Sequence, residues 1–292
     1  MIEQMRKLTK KWIKSKSEED RKAVVKLLED PKYKAMSYRD RNAPFLTAHK
    51  LKTFRENPFF AYLQYEVDTP EKQHEAFIDG QAIDDLLTDN KKDFEGKYEV
   101  VARRSKGAEK IQLTSGKWNM IDGMRNEYNS RHFFPDKVQK HNIVFLMFGK
   151  IPCKMELDHL EFGSHFGDLK STANIVTFDP HRWGYDFTMS FYYHGIKELY
   201  DEKLPGHLYV LDKSTDTCRS DLVVFTKETL EQLQGEINQL AMDYVKCQVS
   251  GVWPFTLDVN RNDEDRKAFF ESEFYSHPLC KQFKDTMEPL YI

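Results

Sequence analysis

The segment between Asn142 and Tyr192 constrains the fold of this chain more than any other. Asn142 to Phe148 and Cys153 to Phe162 are rich in β-forming side chains, and the turn-forming residues 149–152 separate them. A third, shorter strand is predicted at Gly167 to Ser171.

The alternation of side chains along these strands brings charged groups to one face. Glu156 and Asp158 share a face of the second predicted strand, and Asp168 and Lys170 share a face of the third. The other face of the second strand carries only apolar side chains, namely Cys153, Met155 and Leu157. If the strands pair over a common core, two or three carboxylates and an ammonium group meet on one surface.

A helix is predicted to follow these strands. Asp179 and Pro180 form a typical helix start, with Asp as the N-cap and Pro at the first helical position. Thr188 and Tyr192 are four residues apart on this helix, so they can face the same place.

Carboxylates and a lysine on one surface suit metal-assisted hydrolysis. Oxygen ligands favour a hard cation such as Mg²⁺ or Mn²⁺, and a lysine can orient water or offset charge on a phosphodiester. The alternative is an exposed hairpin with solvated charges. Asp-x-Lys alone does not decide between them, since it occurs six times, beginning at Asp20, Asp30, Asp89, Asp168, Asp201 and Asp265. Only the occurrence at Asp168 lies in a short strand between an Asp-bearing strand and a capped helix.

The residues of this segment also resemble a known superfamily. Pro152 to Asp158, Gly167 to Ser171 and Gly184 to Tyr192 are similar to the motifs of the PD-(D/E)XK nucleases, and most of all to the RecE-like phage and prophage exonucleases. Ala48 to Pro58 resembles the opening helix of that family, and Gly80 to Asp84 resembles its Gly-x-x-x-His helix. With Val252-Trp253-Pro254 as the closing segment, the likeness covers about residues 45 to 256.

The resemblance implies a fold and its boundaries. We expect an α/β domain with a central mixed β-sheet flanked by helices, the nuclease core, at residues 46–256. Residues 1–45 would form a helical N-terminal extension, in which Ser17 to Asp20 resembles a capping box. Residues 257–292 would form a helical C-terminal tail.

The resemblance also implies roles for individual residues. It assigns metal ligation to three carboxylates and one backbone carbonyl, those of Asp84, Asp158, Asp168 and Leu169. Lys170 would act on the water, and Tyr192 and Thr188 would position water or DNA. The sequence departs from the family pattern at three positions: Asp84 stands where many relatives have His, Thr188 where they have Gln, and Glu156 where a basic residue is more familiar.

Asp84 is also conspicuous without the resemblance. It lies on a helix predicted from Thr69 to Leu87, at the edge of a buried stripe formed by Ala76, Gly80, Ile83 and Leu87. Asp85 is predicted to point away from that stripe. A carboxylate at such an edge costs free energy unless it is paired, and a metal ion, an Arg or a helix end would each serve.

A basic segment between Val100 and Lys117 is the best local candidate for contacts with DNA phosphates. It carries Arg103, Arg104, Lys106 and Lys110 around Gly107. Flexible basic side chains can hold either strand of a nucleic acid. An ordinary exposed loop explains the same residues equally well.

Further elements are predicted after the central segment. His207 to Asp212 and Ser220 to Phe225 are expected to be strands that extend the sheet. Thr226 is expected to cap one long helix that ends at Gly251.

Composition limits the class of protein. The formal net charge is −3, so DNA contacts must come from local patches. The four cysteines are widely spaced and indicate a reducing compartment without a zinc or iron–sulfur site, and the ten histidines show no metal-ligand spacing. No apolar run is long enough to span a bilayer. We therefore expect a soluble intracellular protein, and the RecE-like resemblance implies the cytoplasm of a bacterial cell and a gene of a phage or prophage.

These expectations combine into one function with two alternatives. The resemblance implies a magnesium-dependent (or manganese-dependent) deoxyribonuclease that degrades double-stranded DNA ends from 5′ to 3′. It further implies a single-strand annealing protein as partner in phage-type recombination, and a homo-oligomer. The alternatives are a DNA-binding or scaffold protein that has lost activity, and an endonuclease of the same superfamily.

Overall fold

The computed structural model describes residues 45–66, 75–88, 91–105, 107–136, 138–148, 151–214 and 217–254, with the isolated positions 22 and 31. Most of the predicted N-terminal extension and all of the predicted C-terminal tail lie outside these residues. The chain divides into two compact units, described separately below. The first comprises Met1–Pro70, Val144–Met155 and Leu233–Ile292, and the second Glu71–Ile143 and Glu156–Gln232.

The described residues form eight helices and eight strands. In order they are α1 Ala48–Glu56, α2 Pro58–Tyr65, α3 Glu75–Thr88, α4 Lys91–Lys97, β1 Tyr98–Val101, β2 Ile111–Thr114, α5 Ser115–Ser130, β3 His141–Met147, β4 Ile151–Leu157, β5 His159–Glu161, β6 His165–Thr172, α6 Tyr185–Tyr200, β7 Gly206–Asp212, β8 Ser220–Phe225, α7 Lys227–Gln232 and α8 Gln234–Ser250. Within this part of the chain, no helix combines the length and apolar character that a membrane span needs.

The first unit contains the helices α1 and α2. Asn57 ends α1 and starts α2, because its side chain accepts a hydrogen bond from the backbone N–H of Phe60 and Pro58 takes the first helical position. Phe54 of α1 packs edge-to-face against Tyr244 of α8 and against Trp253. The aromatic residues noted in the sequence therefore build the core of this unit.

The second unit is built on a four-stranded mixed sheet in the order β5-β6-β7-β8. β5 and β6 are antiparallel, β6 and β7 are parallel, and β7 and β8 are antiparallel. Helix α6 connects the two parallel strands, as a parallel pair requires a crossover. One face of the sheet, through Leu169, Tyr209 and Leu211, joins a core cluster with residues of α3 and α5 such as Ile83 and Ile121. The predicted mixed sheet flanked by helices is confirmed.

Two short sheets accompany the four-stranded one. β3 and β4 form a two-stranded sheet where the sequence predicted the first two strands. β1 and β2 form a parallel pair that the sequence did not predict. Each of these two strands has only four residues, so neither shows a periodic pattern that stands out from a polar loop.

Three predicted boundaries are wrong. The strand predicted from Cys153 to Phe162 is interrupted by a bend at Asp158. The helix predicted to start at Asp179 begins at Tyr185, because the Asp179 carboxylate accepts hydrogen bonds from the backbone N–H groups of His181 and Arg182 within a turn, and Gly184 precedes the helix at a φ of 63°. The long helix predicted to end at Gly251 is two helices, α7 and α8, separated at Leu233.

A glycine pair tests how tightly β6 and β7 are packed. A Cβ at Gly167 would overlap Cε2 of the buried Tyr209 ring, whereas a Cβ at Gly123, in the middle of α5, would meet no atom within 4 Å. We expect Gly167→Ala to lower the free energy of unfolding by about 1–3 kcal/mol, the usual cost of overpacking. Gly123→Ala should raise it by roughly 0.5–1 kcal/mol, because alanine favours helix interiors.

Chemical denaturation of the two variants beside the wild type measures both effects. Equal stability of Gly167→Ala and wild type would contradict the close approach of Tyr209 to β6.

Candidate active site

Two buried aspartates meet where β5 begins. In the antiparallel register His159 faces Gly167, and continuing that register sets Asp158 opposite Asp168. The backbone N–H of Asp158 donates to the carbonyl of Gly167 at 3.1 Å, which holds the bend against β6. Asp158 is 6% exposed and Asp168 is 4% exposed. Two residues ten positions apart in sequence thus share one buried surface.

The surroundings of this pair are unfavourable for negative charge. In the ladder between β6 and β7, Asp168 lies opposite Leu208 and Lys170 lies opposite Val210. Both of these apolar residues of β7 are fully buried. Burial raises the pKa of Asp158 well above its usual range, and the charges of Asp168 and Asp84 raise it further. Lys170 and the N–H of Leu169 oppose this rise without cancelling it. The site therefore favours either a proton or a cation.

Lys170 supplies the nearest positive charge. Its Nζ lies 2.5 Å from Oδ2 of Asp168, in an ion pair whose angles are not those of a good hydrogen bond. The same Nζ donates to the backbone carbonyl of Leu169 at 3.1 Å and lies 5.9 Å from the centre of the Tyr185 ring. The side chain is 28% exposed, so its ammonium group remains accessible from solvent.

The backbone of Leu169 connects the charged groups. Its N–H donates to Oδ2 of Asp158 at 2.7 Å, and its carbonyl accepts from Lys170. This carbonyl, predicted as a metal ligand, belongs to the residue between Asp168 and Lys170 in β6. The side chain of Leu169 points to the other face, into the core cluster.

Asp84 of α3 is held by a lysine that the sequence did not single out. Nζ of Lys140 lies 2.9 Å from Oδ2 of Asp84. Burial lowers the pKa of Lys140, but the charges of Asp84, Glu156 and Asp158 together raise it above its usual value. Asp84 also raises the pKa of Asp158, so the three predicted carboxylate ligands form one electrostatic group.

The prediction for the neighbouring Asp85 is wrong. Asp85 does not point away from the core but is 6% exposed. The hydroxyl of Tyr98 donates to its Oδ2 at 2.7 Å, and Nζ of Lys97 lies 3.4 Å from its Oδ1. These partners come from α4 and β1, elements whose packing against α3 is not visible in the periodicity of α3.

Helix α6 presents its first residue to the site. Tyr185 lies under the Lys170 ammonium group, and Thr188 and Tyr192 follow at three and seven positions, on the same helical face. Tyr192 is buried, while the hydroxyl of Thr188 donates to the carbonyl of Gly184 at 3.2 Å. Tyr185 therefore contacts Lys170 directly, which the sequence did not predict.

The predicted DNA-binding segment is exposed. Arg103 and Arg104 lie between β1 and β2, and Nε of Arg104 donates to the carbonyl of Gln112 at 3.1 Å. Nζ of Lys110 donates to the carbonyl of Glu95 at 2.6 Å. Lys106 lies outside the described residues. Whether these side chains contact DNA stays a prediction.

The donor set fits a hard divalent cation. Asp84, Asp158 and Asp168 offer carboxylate oxygens, and Leu169 offers a carbonyl oxygen. Oxygen-only sets of this kind suit Mg²⁺ or Mn²⁺. Burial and the charges of Asp168 and Asp84 raise the pKa of Asp158, and a bound cation would offset this cost.

The raised pKa of Asp158 predicts that the protein loses stability as pH rises. An acid whose pKa is higher in the folded state binds more protons when folded, so the free energy of unfolding falls as pH rises from the unfolded value, about 3.9, towards the folded one. Without metal, Asp158→Asn cannot ionise and should be more stable than wild type at neutral pH.

Thermal unfolding in a chelating buffer, from about pH 5 to about pH 8, measures this difference. Asp221→Asn, at an exposed position of β8, is the control and should follow the wild type. If the unfolding temperatures of Asp158→Asn and wild type changed with pH in the same way, the raised pKa of Asp158 would be contradicted.

Comparisons with known proteins identify a family and a shared fold. The model of the DUF3799 family, described as a PDDEXK-like domain of unknown function, matches residues 48–258. The crystal structure of an Eubacterium rectale protein described as "Putative exonuclease" aligns with a TM-score of 0.63 at 16% identity, covering 88% of this chain and 95% of that chain. At this identity, the likeness shows a shared fold. No curated protein sequence matches the chain.

The family match extends from α1 to beyond α8 and includes every residue of the candidate site. It confirms the predicted relation to the PD-(D/E)XK superfamily, while the finer likeness to RecE-like exonucleases stays a prediction. By sequence and fold, the chain belongs to the DUF3799 family of PDDEXK-like domains.

Proposed function

We propose that this protein is a metal-dependent deoxyribonuclease, and more specifically a 5′ to 3′ exonuclease acting on double-stranded DNA ends. One observation carries the proposal, namely the buried pair Asp158 and Asp168 with Lys170 at ion-pair distance. This combination of carboxylates and lysine serves phosphodiester hydrolysis and is costly for any purely structural purpose. The PDDEXK-like fold supports a nuclease at the coarser level.

The metal would be held by the four oxygen donors of the site. Asp84, Asp158 and Asp168 would bind Mg²⁺ or Mn²⁺, with the carbonyl of Leu169 as a further ligand. A bound divalent cation would polarise the scissile phosphate and make the attacking water more acidic. Asp84 and Asp168 are now paired with Lys140 and Lys170, so ligation would compete with both ion pairs.

Lys170 would then act on the reacting groups. Freed from Asp168, its ammonium group would donate a hydrogen bond to the attacking water or to a phosphate oxygen, where negative charge grows in the transition state. The Leu169 carbonyl and the Tyr185 ring keep the side chain close to its present position. Lys140 would contribute a second positive charge at the Asp84 side of the site.

Helix α6 and the basic segment would position DNA. Tyr192 and Thr188 share the helical face of Tyr185, and we assign them the orientation of water or of the nucleotide next to the scissile bond. The basic segment would bind phosphates of the DNA backbone that are remote from the scissile bond, through Arg103, Arg104, Lys106 and Lys110. Exposed, flexible side chains suit such contacts because they do not need to recognise bases.

Partners and setting follow from the RecE-like resemblance. A processive exonuclease gains from encircling its substrate, which motivates a homo-oligomer. A single-strand annealing protein would receive the strand that the exonuclease leaves behind, in the recombination of a phage or prophage inside a bacterial cell.

Digestion of linear duplex DNA tests the function. DNA labelled at either end is incubated with wild type, Asp168→Asn and the surface control Asp221→Asn, with Mg²⁺, with Mn²⁺ or with chelator. We expect metal-dependent release of nucleotides by wild type and control, and a loss of roughly 10²–10³-fold in Asp168→Asn, as for other groups that stabilise a transition state. The label that is released first reports the polarity.

Three results would change the proposal. Cleavage of covalently closed circular DNA would identify an endonuclease. Binding to DNA without cleavage, by folded protein with either metal, would support the inactive scaffold that the departures at Asp84 and Thr188 suggest. Full activity of Asp168→Asn would refute the assigned site.

Lys140 provides a separate test of the charge distribution. Lys140→Gln removes the positive charge beside Asp84 and should lower kcat by about tenfold, the range expected for the loss of one supporting electrostatic contact. Lys110→Gln, outside the carboxylate group, should leave kcat at saturating DNA unchanged, weaken DNA binding at low salt and make that binding less dependent on salt. An unchanged kcat in Lys140→Gln would limit Lys140 to a structural role.

A further inference from the structure

A second cluster of metal-ligating side chains lies on the face of the sheet opposite to the aspartates. His159 and Glu161 are two residues apart on β5, and Glu161 directly faces His165 of β6. Alternation along the strands turns these three side chains to one face and Asp158, with Asp168, to the other. The cluster is therefore separate from the candidate active site.

The three side chains converge on one point. One ligand atom from each lies within 4.8 Å of the others. Nε2 of His159 and Nδ1 of His165 are each 3.9 Å from Oε2 of Glu161. Tetrahedral zinc with bonds of about 2.0–2.1 Å holds neighbouring ligand atoms about 3.3 Å apart. Side-chain rotation of Glu161, which is 60% exposed, can shorten its two distances to that value.

His165 has the supporting contacts that a metal-binding histidine needs. Its Nε2 lies 2.8 Å from the hydroxyl of the buried Tyr209, and its ring stacks on His207 with centroids 4.0 Å apart. When Nε2 carries the proton and donates to Tyr209, the lone pair of Nδ1 accepts a hydrogen bond from the Ser164 hydroxyl at 2.9 Å, and a metal ion would displace this exposed hydroxyl. A partner on the second ring nitrogen fixes the tautomer and ring orientation of metal ligands in general.

His159 lacks such a partner at the nitrogen that faces the cluster. Its Nε2 is buried and makes no hydrogen bond among the described residues. A buried polar atom without a partner costs free energy, typically about 1–3 kcal/mol. Gly167, opposite His159 in the ladder, has no side chain that could supply this partner, and the Tyr209 ring occupies the position of a Cβ there. A metal ion would satisfy this nitrogen.

We propose that His159, Glu161 and His165 form a binding site for a divalent transition-metal ion, best fitted by zinc, with a fourth position open to water. Two imidazole nitrogens and one carboxylate oxygen are a typical zinc set, whereas Mg²⁺ prefers oxygen ligands only. The ion would join β5 to β6 just beyond Asp158 and before Asp168, in the hairpin that carries the active-site carboxylates.

Zinc binding to the full chain tests the site without any assay of activity. Protein freed of metal is titrated with Zn²⁺ against a chromogenic chelator, in a large excess of Mg²⁺ that saturates the oxygen-only site. Wild type and Asp168→Asn should each bind one zinc ion per chain. Glu161→Gln should bind at least tenfold more weakly, and Tyr209→Phe on the order of tenfold to a hundredfold more weakly, as supporting contacts of metal ligands typically contribute.

Two further measurements make the outcome unambiguous. Zn²⁺ should raise the thermal unfolding temperature of wild type and not that of Glu161→Gln, because a ligand stabilises the state that binds it. Co²⁺ should give the intense visible bands of a tetrahedral site, and these should be lost in His159→Gln and kept in His181→Gln, which alters an exposed histidine elsewhere. Since Glu161 is exposed, its variant is expected to fold.

Some results would overturn the proposal. Zinc that binds equally to wild type and Glu161→Gln, or that is lost in Asp168→Asn, would assign the ion to other residues. No binding by wild type would leave the cluster as packed neutral histidines. None of these results depends on nuclease activity.

Discussion

The close approach of Asp158 and Asp168 in a buried place is the constraint on which the candidate site depends. Two like charges out of water cost free energy, and the N–H of Leu169 and the ammonium group of Lys170 offset only part of it, since the pKa of Asp158 stays high. Such a buried pair is expected where its negative charge has a function, such as the binding of a cation. Strand β6 carries one of the two aspartates and also both groups that offset its charge, because Asp168, Leu169 and Lys170 are consecutive in β6.

Strand β6 contributes functional side chains to both faces of the sheet. Its residues alternate between the aspartate face, with Asp168 and Lys170, and the face of Gly167 and Leu169, which joins the hydrophobic core and the histidine cluster. A shift of one residue in its register would exchange the two sets. The overlap of any Cβ at Gly167 with the Tyr209 ring opposes such a shift, because every other residue of β6 carries a side chain.

Local patterns predicted the parts of this structure that depend on neighbouring residues. The strand at Ser220 to Phe225 and the shared face of Asp168 and Lys170 both follow from alternation within a few residues. Contacts distant in sequence could not be predicted in this way. The burial of Asp85 depends on Tyr98, and the pairing of Asp84 depends on Lys140, 56 positions away in a segment without regular structure. The histidine cluster was missed for the same reason, since spacing along the chain does not show that Glu161 faces His165.

The charges of the site indicate how metal and DNA would depend on each other. Asp84, Asp158 and Asp168 outnumber Lys140 and Lys170, and Glu156 adds to the negative charge near Lys140. A phosphodiester entering the metal-free site would meet net repulsion when these carboxylates are ionised. A divalent cation held by the aspartates would remove that excess and release both ammonium groups from their ion pairs. The same cation that the carboxylates require would therefore convert the site into one that accepts a phosphate, so metal binding would precede or accompany the entry of DNA.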